Sequence, residues 1–177
     1  LAEVRGGGGA IVSIIGDAGL GKTRLVEEVR REWEASAGRG DERWSEARAQ
    51  SYEQTRSFGL FRQQLLSLAG ASEAEPPEVI RERLGALVAA QTEGIDERSR
   101  RTLELLLAVE QSDDTVGIEG QELRAELGRL VNAVWRGVAR QPATFVFDDL
   151  HWSEPASAEV IMDLFSLVDD APVLFLC

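Results

Sequence analysis

The only lysine of the chain, Lys22, sits in the run Gly16-Asp17-Ala18-Gly19-Leu20-Gly21-Lys22-Thr23. Every other basic residue, of 19 in all, is an arginine. An ammonium is a compact point charge on a flexible stem, whereas a guanidinium is a planar fork. A tight loop around a phosphate has room for the first. Gly-x-x-x-x-Gly-Lys-Thr is the spacing of a phosphate-binding loop, the Walker A motif. Its glycines let successive backbone N–H groups turn inward as an anion nest. A helix starting behind the loop adds about half a positive charge and free N–H donors. Lys22 would reach the β- and γ-phosphates of a nucleotide, and the Thr23 hydroxyl would ligate Mg²⁺. Arg24 follows directly and counts with the loop as a phosphate-side residue.

A second cluster lies in Thr144-Phe145-Val146-Phe147-Asp148-Asp149-Leu150-His151-Trp152. Four residues of strand character end in two adjacent carboxylates, the Walker B pattern. In open α/β sheets ligands collect at the carboxyl ends of strands. Asp148 would hold Mg²⁺ through its water shell, since Mg²⁺ keeps several waters. Asp149 would orient and polarise the water that attacks the γ-phosphate. Many ATPases with these two motifs carry Glu in the second position. Asp is one methylene shorter, so slow hydrolysis, or holding of nucleotide without turnover, is a second expectation. His151 is the only histidine and, with no histidine or cysteine cluster beside it, forms no metal site. Asp113-Asp114 and Asp169-Asp170 lack a preceding site context and read as loops. Arg56 and Arg62 are further arginines within reach of a phosphate-sensing role.

These motifs need elements to hold them. Residues 10–15, Ala-Ile-Val-Ser-Ile-Ile, form a short β-branched run of the kind found in buried parallel strands. The residues after Lys22 read as a helix. A second strand is expected over 43–50. A long helical stretch follows: one helix carries Leu60, Phe61, Leu65, Leu66 and Leu68, and another Val79, Ile80, Leu84, Leu87 and Val88. Pro76-Pro77 separates the two. A third helix is expected over about 98–110. The fourth places Leu123, Leu127, Leu130, Val131, Val134, Trp135 and Val138 on one face at 3–4 spacing. Ser153 is the expected N-cap of a helix running to about 168, with Pro155 in its first turn, and 172–176 reads as the last strand.

At 177 residues the chain has one domain's length. Its composition, 44% hydrophobic and 28% charged, is that of a soluble globular protein. A formal net charge of −12 argues against a nucleic-acid surface, whose footprint is basic. It also means that a nucleotide must be drawn in by local donors and Mg²⁺ rather than by the overall field. A single cysteine, Cys177, excludes an internal disulfide. No apolar run approaches the roughly 18 residues of a membrane span.

The loop followed by Arg24-Leu25, together with Asp148-Asp149-Leu150-His151-Trp152-Ser153-Glu154-Pro155, resembles the STAND branch of the AAA-type P-loop ATPases. These are signal-transduction ATPases of large bacterial regulators and of adenylate/guanylate cyclase fusions. The segment from Ser51 to Arg62 also resembles that family's stretch after the second strand. The resemblance implies an α/β protein with the three-layer α/β/α P-loop NTPase fold. It implies a parallel sheet in the order 2-3-4-1 with the fifth strand missing, and a helical insertion over about 58–141. It further implies a core, 1–177, truncated at both ends of a longer protein. ATP and Mg²⁺ are the implied cofactors. ATP/ADP, flanking regulatory and output domains, and nucleotide-dependent self-association are the implied partnerships, with neither membrane nor direct nucleic acid. The need for ATP places the protein in the cytoplasm. Three alternatives compete: a non-catalytic scaffold that keeps its nucleotide, an AAA+ initiator or clamp-loader relative acting on DNA, and a P-loop kinase.

Overall fold

The apolar run that ends in two acids forms β3 (Ala143–Asp148), in which every residue from Ala143 to Phe147 is buried. A strand can be apolar on both faces only when both faces are covered. The computed structural model describes residues 1–17, 19–35, 42–49, 58–92, 96–108, 120–153 and 155–177. On one side β3 pairs with β2 (Arg43–Arg48), and on the other with β4 (Val173–Leu176), which pairs in turn with β1 (Ala10–Val12). The four described strands are all parallel and lie in the order β1-β4-β3-β2.

The expectation of a buried strand over 10–15 is corrected. β1 has three residues, and Ile11 and Val12 are 42% and 44% exposed. Its place at the edge of the described sheet explains this, because among the described strands only β4 lies beside it. Pairing continues a little further through Ile14 N–H to the Cys177 carbonyl at 2.6 Å. β2 ends at Arg48 rather than at residue 50, which lies outside the described residues.

Alternate residues of a strand face opposite sides of the sheet, and the two sides are packed differently. Phe145, Phe147 and Phe175 form one face, stacked at centroid distances of 5.7 and 6.3 Å. Trp135 lies over Phe145 at 5.4 Å. The other face carries Val146, Leu174 and Leu176 beside Val4 and Trp33. Those last two come from α1 (Ala2–Arg5) and α2 (Lys22–Ala35), so helices lie on both sides of the sheet.

Between β2 and β3 the described residues form α3 (Gly59–Ala69), α4 (Pro77–Gln91), α5 (Glu97–Ala108) and α6 (Gly120–Val138). Pro77 opens α4 at a position whose N–H has no helical partner anyway. On α6, Leu127, Leu130, Val131, Val134, Trp135 and Val138 are all buried, as their spacing predicts. The side chain of Leu123 lies outside the described residues. The last helix, α7, is shorter than expected: it spans Pro155–Phe165 and tightens into a 3-10 turn at Ser166–Asp169. The Ser153 hydroxyl does not point forward as a cap but donates back to the Leu150 carbonyl at 2.7 Å. Among the described residues no helix is long and apolar enough to cross a membrane.

α3 covers the outer edge of β2, and two glutamines fasten it there. The Gln63 amide accepts from the Arg48 N–H at 2.9 Å and donates to the Arg48 carbonyl at 3.2 Å, as a neighbouring strand would. Gln64, fully buried, donates to the Val146 carbonyl at 2.8 Å and accepts from the Ser45 hydroxyl. Edge strands expose unpaired backbone groups, and here the Gln63 amide occupies those of Arg48.

Candidate functional site

After β1 the chain turns at two glycines in the left-handed region, with φ of +83° at Gly19 and +87° at Gly21. An L-residue is strained there. A Cβ on either would meet no atom within 4 Å. Glycine is therefore demanded by backbone direction and not by crowding, and the open side leaves space for an anion. Helix α2 starts at Lys22, and its first internal bond runs from Leu25 N–H to the Gly21 carbonyl at 3.0 Å. No acid occupies its first turn, so the positive end of the helix dipole is not neutralised locally.

Lys22 folds back over the loop. Its ammonium donates to the carbonyls of Gly16 at 2.8 Å and Asp17 at 3.2 Å. Gly16 and Lys22 both line a cavity of about 360 Å³. Asp17, Leu20, Thr23 and Arg24 are exposed, with Thr23 and Arg24 on the first turn of α2. Ala18 lies outside the described residues.

Asp148, Asp149 and His151 line the same cavity, together with Phe147 and Leu176. The parallel sheet delivers them there: the loop leaves the carboxyl end of β1, and the acids stand at the carboxyl end of β3. The side chains of Asp148 and Asp149 are 30% and 20% exposed. Asp149 itself has φ 55° and ψ 37°, left-handed, and its carbonyl accepts from Trp152 N–H at 2.9 Å to close the 3-10 turn Leu150–Trp152. His151 packs against Trp152 with ring centroids 4.8 Å apart. Cys177 also lines the cavity, and burial pushes its thiol up to about 11, so that it stays protonated at neutral pH.

One residue at the site was not marked by either motif. Arg48, the last residue of β2, lies in register with Asp148. Its Nη2 and Nε donate to Oδ2 of Asp149 at 2.7 and 2.9 Å, and Nε stands 3.6 Å from Oδ2 of Asp148. The Asp149 carboxylate in this bond holds the guanidinium above its ordinary range. The signal that points to Arg48 is the register of β2 on β3, which no local spacing reveals. Arg62, by contrast, does not line this cavity: it is buried on α3 and ion-paired with Glu73. Arg56 and the pair Asp113-Asp114 lie outside the described residues.

The donor set suits a nucleotide with Mg²⁺. The two positive-φ glycines leave an open cradle, an ammonium stands at its rim, and a hydroxyl and carboxylates supply hard oxygen donors. Among the described residues no group of three His, Cys, Asp or Glu could cage a metal by itself. Mg²⁺ needs no such cage, being bound through one or two carboxylates together with substrate phosphates.

No curated protein and no solved structure gives a significant match to the chain. A family model described as the AAA ATPase domain matches it over residues 1–176. Because that match runs through nearly every residue, from the loop to the last strand, the chain belongs to the AAA ATPase domain family.

Proposed function

We propose that the chain binds Mg·ATP, hydrolyses it slowly, and acts as a nucleotide switch in signal transduction or transcription regulation. Family membership supports the nucleotide and the ATPase chemistry. The observation that carries the reading is the single cavity that Gly16 and Lys22 share with Asp148 and Asp149. The loop 16–23 would wrap the β- and γ-phosphates. Lys22 would exchange its two loop carbonyls for phosphate oxygens, a movement its flexible stem permits. Thr23 and Asp148 would hold Mg²⁺, which when bound neutralises charge on the phosphate oxygens. Asp149 would orient the attacking water and take its proton.

The switch role, the STAND assignment and the flanking output domains rest on the resemblance of the two motifs and their neighbours. So do self-association with nucleotide, the cytoplasmic location, and the division into a core of 1–177 with a helical insertion over about 58–141. One observation favours the nucleotide-holding alternative: Oδ2 of Asp149 already accepts two hydrogen bonds from Arg48, which compete with an attacking water for that oxygen.

Calorimetric ATP titration and phosphate release test the assignment together. Lys22→Ala should weaken ATP binding by about 10- to 100-fold, the worth of a charge-assisted hydrogen bond. Asp149→Asn should keep ATP binding and lower phosphate release by about 100-fold or more. Parent-like ATP affinity in Lys22→Ala would overturn the site. A parent protein that binds ATP and never releases phosphate would favour the holding role.

A further inference from the structure

Arg48 is held at two levels. Its guanidinium bridges the acid pair, bonded to Asp149 at 2.7 and 2.9 Å and 3.6 Å from Asp148. Its backbone N–H and carbonyl are both bonded by the Gln63 amide of α3, at 2.9 and 3.2 Å. The neighbouring Gln64 ties the same helix to the Val146 carbonyl, two residues before Asp148. The Arg48 side chain is 61% exposed, so the fork can swing into solvent. Its backbone cannot move without α3.

A guanidinium and a divalent cation cannot both use these carboxylates well. Mg²⁺ requires oxygen ligands at about 2.0–2.1 Å in near-octahedral array. A positive charge 3.6 Å from the Asp148 carboxylate repels the cation there, and the two hydrogen bonds to Asp149 hold that charge in place. We propose that Arg48, anchored by Asp149, is a built-in competitor of the nucleotide's divalent cation at Asp148, and that Gln63 of α3 sets the strength of that competition. The helical segment that begins with α3 then tunes metal affinity at the site, and with it the step that needs the metal, without touching the phosphate loop. This inference rests on the Mg·ATP reading above.

The test uses Mn²⁺ as a paramagnetic substitute for Mg²⁺, with free ion measured by electron paramagnetic resonance at saturating ATP. Arg48→Met should bind Mn²⁺ about three- to tenfold more tightly at low salt, the range expected for one partly exposed charge. That gain should shrink at 0.5 M KCl, where exposed charges are screened. Arg48→Lys keeps the charge and should stay within about twofold of the parent. Gln63→Leu should give about a twofold gain in the same direction, and Arg48→Met/Gln63→Leu no more than Arg48→Met alone, since the glutamine acts through the arginine. Unchanged or weaker Mn²⁺ binding in Arg48→Met overturns the competition. Full additivity of the two substitutions overturns the part assigned to α3. ATP binding in EDTA, compared between the parent and Lys22→Ala, separates the two readings. If it does not depend on Lys22, the nucleotide site itself is wrong; if it does while Mn²⁺ affinity stays unmoved by Arg48→Met, only the competition fails.

Discussion

Asp149 shows how much a single residue's identity is set by backbone and chemistry together. At φ 55° it occupies the left-handed region, where most L-residues pay roughly 1–2 kcal/mol and short polar Asp or Asn pays less. The extra methylene of Glu gives no such relief. The chain's Asp at a position where many ATPases carry Glu is therefore matched to this turn. In an Arg48→Met background, which removes the ion pair from the comparison, Asp149→Glu should lower stability by about 1 kcal/mol. Asp149→Asn should lie within a few tenths of its parent, and urea denaturation reads the difference. Equal midpoints for the two variants would show that the turn is indifferent to the side chain. At the same scale the candidate loop residues stand out from spacing alone, because the motif is local. Arg48 could not: nothing within several residues of it carries a signal, and its partner stands 101 positions away in the chain.

At the scale of elements, periodicity identified the helices and β3 well and failed at β1. A run of β-branched residues is the same whether it becomes a central or an edge strand. What separates the two is the number of neighbours, and β1 has only β4 beside it in the described sheet. Helix packing adds a constraint that periodicity does not carry. Gly137 on α6 lies so close to the end of α4 that a Cβ there would stand 2.1 Å from the Gln91 carbonyl oxygen and 2.7 Å from its Cβ. Gly85, inside α4, has open space around the same position. Gly137→Ala should destabilise the protein by about 1–3 kcal/mol through overpacking. Gly85→Ala should stabilise it by about 0.5–1 kcal/mol through helix propensity. Urea midpoints moving in the same direction for both would contradict the packing of α4 on α6 described above.

For the whole molecule, the dominant quantity is a formal net charge of −12. Such a field repels polyanions, so under the proposed function a nucleotide would have to be admitted by donors concentrated at one end of the sheet. The DNA-acting alternative depends on the opposite arrangement, in which basic residues release counterions from the duplex. Gel-shift titration with duplex and single-stranded DNA at 50 mM salt should therefore give no complex at micromolar protein. A salt-sensitive shift would restore that alternative.

Composition and local spacing were enough to assign an α/β chain with a glycine loop before a helix, an acid pair at a strand end and a helical stretch between them. Each of those features depends on residues within a turn or two of one another. The long-range pairing settled the remainder. β4 inserts between β1 and β3, which brings the carboxyl ends of distant segments to one cavity. The register of β2 on β3 then sets Arg48 against the acids. Which strand neighbours which, and in what register, is chosen by burial of side chains from the entire chain at once, and no short stretch of residues encodes that sum.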